Sequence, residues 1–162
     1  MKYENYLVKT NAMIFWFVVS ILMIVAIFWV AGLFEVTLLD EVSSPGQVRD
    51  MISAMSDTQR LVHGLITSTL DVIFPLAYGA LFIGGALRYY PKIGKYIVVV
   101  VLISVICDLI EGVVQVLALA GAVDLVSIKS VVTPVKTYTF LLGGLALIIG
   151  LVKALVVSKL AK

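Results

Sequence analysis

Residues 96–121 read YIVVVVLISVICDLIEGVVQVLALAG. A membrane-crossing helix needs about 20 consecutive, mostly apolar residues, and this run meets that length. Its many β-branched residues suit strands, but the run is too long and lacks strict alternation, so a helix is expected. In lipid a helix also satisfies its own backbone, which a lone strand cannot do. The polar residues within the run are ordered. Ser104, Asp108, Glu111 and Gln115 follow steps of four, three and four, so they form one stripe along one helical face. Each charged residue costs roughly 2.5–3.5 kcal/mol at a bilayer centre and usually faces the interior of a bundle. This stripe is the strongest functional signal in the chain.

Three further runs resemble it in composition. Expected spans are Ala12–Phe34, Leu61–Leu87, Tyr96–Gly121 and Pro134–Val152. The fold class expected is all-α: a four-helix transmembrane bundle forming a single domain over residues 1–162. Composition agrees. Hydrophobic residues make up 62% and charged residues 14% of the 162, against about 45–50% and about 25% in soluble domains. No water-soluble fold of this size hides so much apolar surface. The first run is uncharged from Thr10 to Phe34, longer than the ~7–15 residues of a signal-peptide core. It is read as an anchor that stays attached.

Direction follows from the basic residues. Lys2, Lys9, Arg88, Lys92, Lys95, Lys153, Lys159 and Lys162 fall on one side; Arg49, Arg60 and Lys129, with Lys136 at the interface, fall on the other. The richer side is expected to be cytoplasmic, with both termini there, in the cell membrane. The acid-rich segment 35–60, with Glu35, Asp40, Glu41, Asp50 and Asp57, is then extracytoplasmic. Trp16 and Trp29 mark the two interfaces of the first span.

The short Arg88–Lys95 connection, with Pro91 and Gly94, makes spans two and three antiparallel neighbours. In the first outer loop, Ser44-Pro45-Gly46-Gln47 reads as a capping box with proline at the first helical position. Val48, Met51, Ile52 and Met55 then share a face, so a short amphipathic helix is expected on the outer surface. It is either a connector or a lid. Ser56–Gln59 repeats the capping spacing at the start of span two. Thr133-Pro134 reads as the cap and first turn of span four, leaving 122–132 as a partly buried loop.

Span two adds to the polar stripe. Asp71, Pro75, Tyr78 and Gly85 share one face, with Thr67 one turn away. Pro75 removes a backbone donor and is expected to free a carbonyl near Thr67 or Asp71 and kink the helix. Asp71 lies ten residues from Leu61, about 15 Å into the membrane at ~1.5 Å per residue. Glu111 sits at a similar depth. The polar groups thus run from the outer face to the midplane, as in a cavity open to the outside. Lys136, His63 and Arg60 are candidate partners. Lys136 shares a face with Gly143, Ala146 and Gly150, a small-residue packing stripe, but its place near the helix start also allows snorkelling to the interface. His63 is expected at the interface. Span one carries no ionisable residue and is expected to pack outside as a wall.

The segments Asp71-Val-Ile-Phe-Pro-Leu-Ala-Tyr78 and Asp108-Leu-Ile-Glu111, with Arg60 before them, resemble small prokaryotic four-helix integral membrane proteins. The resemblance covers spans two and three, under half of the chain. It implies a fold and supplies no function.

Several classes are excluded on motifs. There is no Walker loop, GxGxxG, HExxH or GxSxG elbow, and one histidine cannot build a haem pair or a Glu-x-x-His di-iron centre. Cys107 is the only cysteine, so neither an intrachain disulfide nor a cysteine metal site is available. A net charge of +2 without a basic patch does not suit nucleic acid. No cofactor and no metal are expected. The leading expectation is a site for a small or amphipathic ligand, an ion or a proton, built from Asp71, Asp108, Glu111, Gln115, Tyr78, Thr67 and Lys136, with proton-coupled transport as one version. Membrane lipids and a homo-oligomer are the expected partners. The alternatives are an intramembrane acid/base enzyme acting on a lipid or isoprenoid, and a structural subunit whose acids form a hydrogen-bonded cluster.

Overall fold

The computed structural model describes residues 4–40 and 42–160. Lys2, Glu41 and Lys162, used above for charge and direction, lie outside the described residues. The elements are α1 (Glu4–Leu7), α2 (Thr10–Leu33), α3 (Pro45–Ala54), α4 (Asp57–Ser68), α5 (Leu70–Tyr89), α6 (Gly94–Leu119), a 3-10 turn (Val126–Ile128) and α7 (Lys129–Leu160). Among the described residues there is no strand. Four helical stretches are long and apolar enough to cross a bilayer: Thr10–Leu33, Asp57–Tyr89, Gly94–Leu119 and Val126–Leu160. Their outward faces carry exposed large apolar residues such as Phe17, Leu22, Leu145 and Ile149, far more than a soluble monomer displays.

The second long helix is α4 and α5 joined across Thr69. The sequence places its kink at Pro75, but the interruption lies further toward the helix start. Ser68 and Thr69 donate their hydroxyls to the Leu65 carbonyl, at 3.3 and 2.6 Å. Side chains competing for a backbone acceptor disturb a helix, and Thr69 leaves helical geometry at φ −123°, ψ −76°. Pro75 itself stays buried within α5. The capping box at Ser56 and Gln59 forms as read and starts α4. At Ser44 no side-chain cap bond forms, and Pro45 alone begins α3. The fixed φ of proline suffices there.

The fourth long helix starts earlier than Pro134. The 3-10 turn at Val126–Ile128 runs into α7 at Lys129, so Thr133 lies within the helix and is not its cap. Pro134 is tolerated one turn inside because the acceptor it leaves free belongs to Ser130, at the exposed start of the helix.

Helix α2 ends in a turn that decides where the site receives a loop residue. Glu35 takes a left-handed φ of 53°. Val36 N–H bonds to the Ala31 carbonyl at 2.8 Å, and Glu35 N–H to Gly32 at 3.4 Å. This is the Schellman pattern, with Val36 closing apolar contact near Ala31. The left-handed turn sends Leu38–Asp40 back toward the bundle. Leu39 is fully buried, and its N–H donates to His63 Nε2 at 3.1 Å. Gly121, at φ 64°, ends α6 in the same way.

Helix α3 lies over the loop-bearing end with its apolar face toward the bundle. Val48 is buried with Leu39, Leu119 and Val126, and Met51, Ile52 and Met55 pack against them. The helix therefore covers the loop-bearing end of the bundle. Arg49 ties it to the loop before α7 through a bidentate pair with Asp124, at 2.7 and 3.3 Å.

The other end of the bundle is a dense apolar core of Met13, Tyr78, Leu81, Phe82, Val101, Val105 and Leu147. Here glycines let helices touch. A Cβ on Gly143 would stand 2.8 Å from the Phe82 ring, and one on Gly150 2.7 Å from Tyr89. The small-residue stripe of the fourth span thus packs within the chain.

Candidate functional site

Helix α6 presents its polar stripe inward as read: Ser104, Asp108, Glu111 and Gln115 are all buried. Glu111 lies eight residues before the end of α6, about 12 Å along the axis. Facing it, α7 supplies a stripe that sequence reading passed over. Lys129, Thr133 and Lys136 are spaced by four and three and so share one face. Lys129 has 0% exposure and pairs with Glu111 Oε1. Thr133 donates to the same oxygen at 2.6 Å. Lys136 Nζ lies 2.5 Å from Glu111 Oε2 and 3.1 Å from Asp108 Oδ1. A lysine in the first turn of a helix opposes the helix dipole; Glu111 offsets that at Lys129.

Lys136 thus turns into the bundle and does not snorkel outward. Tyr78 from α5 donates to Asp108 Oδ2 at 3.1 Å and lies the same distance from Ser104 Oγ. Ser104 in turn donates to the Lys136 carbonyl at 3.3 Å. The loop after α2 contributes Asp40, which accepts from Gln115 Nε2 at 3.1 Å and lies 3.9 Å from Lys136 Nζ. Five of the seven expected site residues therefore meet in one network: Tyr78, Asp108, Glu111, Gln115 and Lys136. Asp40 and Lys129 join it unannounced. The spacing Lys129, Thr133, Lys136 was a readable signal, but treating Pro134 as a helix start hid it. Nothing local marked Asp40, because a loop residue arrives through tertiary folding.

The remaining two stand apart. Thr67 is buried but pairs with His63 Nδ1 at 3.1 Å. His63 is fully buried and anchors the re-entering loop by accepting from Leu39 N–H. Arg60, a candidate partner of Asp71, instead donates to the Ile52 carbonyl at 3.1 Å and holds α3. Asp71 is partly buried and takes no hydrogen bond or ion pair from another side chain among the described residues.

Asp71 faces open space. A cavity of about 360 Å³ is lined by Asp40, Asp71, Asp108 and Lys136 at its polar end, and by Ile27, Phe74 and Phe140 among its apolar walls. Helix α2 lines it too, through Ile24, Ile27 and Phe28. The first long helix packs outside α5 and α4, and its apolar face walls the cavity. Both its apolar character and its outer place agree with the sequence reading, which did not foresee that it would line the cavity. Asp71 also borders a second groove, of about 320 Å³, between α4/α5 and α6 near Thr67 and Gly112.

The arrangement separates two kinds of carboxyl. Glu111 is enclosed by two lysines and a threonine. Asp71, Asp40 and Asp108 edge a cavity with one lysine. Four carboxyls thus share two ammonium groups. Comparison with protein-family models, with curated proteins and with solved structures gives no match for the chain.

Proposed function

We propose that the chain is a four-span integral membrane protein of the cell membrane, with both termini cytoplasmic, that binds a small or amphipathic ligand, an ion or a proton at an outward-facing intramembrane carboxylate site. Proton-coupled transport is one version of this activity. The single observation that supports it is the cavity into which Asp40, Asp71 and Asp108 converge beside Lys136. Buried charge is expensive in hydrocarbon, and acids kept there usually serve a ligand, ion or proton. A cavity of ~300–1,000 Å³ with mostly apolar walls and a few convergent polar groups is the ordinary form of a small-molecule site. The extracytoplasmic assignment rests on the basic residues and on the polar groups clustering at the end that carries segment 35–60.

Roles divide by environment. Asp71, without a partner in the chain, contacts the ligand or carries the proton. Asp108 and Lys136 set its surroundings, and Tyr78 orients Asp108. Glu111, with Lys129 and Thr133, holds α6 and α7 at the spacing the cavity needs.

The test is native mass spectrometry with lipid extraction on wild type, Asp71→Asn and Glu111→Gln. A defined bound molecule lost in Asp71→Asn, with the protein still folded, supports the site. No retained molecule in any form, with no change in proton uptake, overturns it. A second reading is an intramembrane acid/base enzyme. The observation that favours it is that two carboxyls from different helices, Asp71 and Asp108, line the same cavity, as general acid and base would.

A further inference from the structure

The cavity has a mouth. Helix α2 packs along α5 and α4 but makes no comparable contact with α7. The cavity lies in this gap, and its lining includes Phe28 of α2 and Leu141 of α7. Those two side chains are 60% and 57% exposed on the outer faces of their helices. Below the rim the walls are apolar and aromatic: Ile27, Phe74 and Phe140. The polar lining is Asp71, Asp40 and Asp108, with Lys136 already in contact with Asp108 and Glu111.

The charge balance of this polar lining is one-sided. The second lysine, Lys129, is sealed against Glu111 and does not line the cavity. Three carboxyls therefore face the space and one ammonium faces them. An anion would meet uncompensated carboxylates, and a neutral molecule would leave Asp71 without a counter-charge. A cation with an apolar body satisfies both ends, and aromatic rings near its head add cation–π attraction.

We infer that the cavity takes a lipophilic amine, a single ammonium on a small apolar body, which enters from the bilayer between the first and fourth spans and places its charge at Asp71. This rests on the site proposed above and narrows it to one charge class and one entrance. The volume of about 360 Å³ is near the lower end for ligand pockets, so the body is one short chain or ring and not a two-chain lipid.

The test uses the full chain in phosphatidylcholine nanodiscs at neutral pH, with three probes of equal length: octylamine, 1-octanol and octanoate. Binding in excess of empty discs is measured by equilibrium dialysis, alongside the shift in thermal unfolding. Wild type should bind octylamine saturably, with the alcohol and the carboxylate weaker by about tenfold or more. Asp71→Asn should weaken the amine by a similar factor and bring it level with the alcohol, while Asp71→Glu retains the preference. Leu141→Trp, a change at an exposed rim position, should lower binding of every probe without touching a charge. If octanoate binds best, or if amine and alcohol bind alike and ignore Asp71→Asn, the amine inference falls while the ligand site stands. If no probe binds saturably in any variant, the site reading falls with it.

Discussion

The two ends of the bundle are built from the same long helices on opposite principles. At the end marked by the turn between Tyr89 and Gly94, apolar side chains and glycines interlock: Gly143 against Phe82, Gly150 against Tyr89, and Gly79 against Val105. At the end that carries segment 35–60 and the loop before α7, four carboxyls and two lysines replace that packing, and a cavity opens. In hydrocarbon, helices gain nothing from expelling water, so close packing must hold them. One end can give up packing for polar groups only because the other holds the helices together. Within the charged end the division repeats: Glu111 is enclosed and Asp71 is open.

The largest effect should come from breaking the enclosed pair. Lys129→Met leaves Glu111 with Lys136 and Thr133 alone. Removing one partner of a buried pair costs about 3–5 kcal/mol, so most of the protein should fail to survive detergent unfolding by heat or SDS. The double change Lys129→Met with Glu111→Gln should recover much of that, since Glu111 then carries no charge for Lys129 to balance. Wild-type stability in the single variant would break the distinction between closed and open carboxyls.

Next comes the packed end. Gly143→Leu drives a side chain into Phe82 and Val101, and overpacking of this kind costs about 1–3 kcal/mol. Unfolding measured as above should show it. Probe binding per folded molecule should stay unchanged, because Gly143 does not line the cavity. Lost binding at full stability would show the two ends to be coupled.

Asp71→Asn should cost less than about 1 kcal/mol in the same unfolding assay, having no partner to lose. Its effect should fall on ligand or proton handling. A drop as large as that of Lys129→Met would place Asp71 among the structural groups.

The smallest effect on global stability belongs to the exposed Arg49–Asp124 pair. The Arg49 hydrogen bond holds the Asp124 carboxyl below its usual range. A carboxyl with a lowered folded-state value contributes fully above its ordinary value and loses that contribution as pH falls through the lowered one. Hydrogen-exchange protection of α3 should thus hold between about pH 5 and 8 and weaken modestly below about pH 4. Arg49→Gln should remove that dependence and leave the bundle intact. Unchanged protection in the variant would show that the apolar contacts of Val48 alone dock α3.

Much of this was legible in the chain. Four long apolar helices follow from run length and composition, because an apolar segment of that length has few other stable forms. The inward stripe from Ser104 to Gln115 follows from helical period. The capping box at Ser56 follows from spacing, since a hydrogen bond between near neighbours needs no distant partner. The kink was misplaced because Ser68 and Thr69 compete for a carbonyl, an effect less visible in sequence than proline. The amphipathic helix at Pro45–Ala54 forms as its spacing predicts, but its docking partners Leu39, Leu119 and Val126 were not legible.

Local pattern thus determined which segments are helices and which faces are polar, since both depend on residues three or four apart. Tertiary structure decided which charges meet. Asp40 reaches the site only because Glu35 adopts a left-handed turn that folds the loop back. Lys129 seals Glu111 only because α7 begins a turn before its proline. The first span lines the cavity only because it leans on the second and leaves the fourth uncovered. Each is a contact between residues far apart in the chain, and pairing energy at that range is set by geometry that neither partner carries in its own neighbourhood.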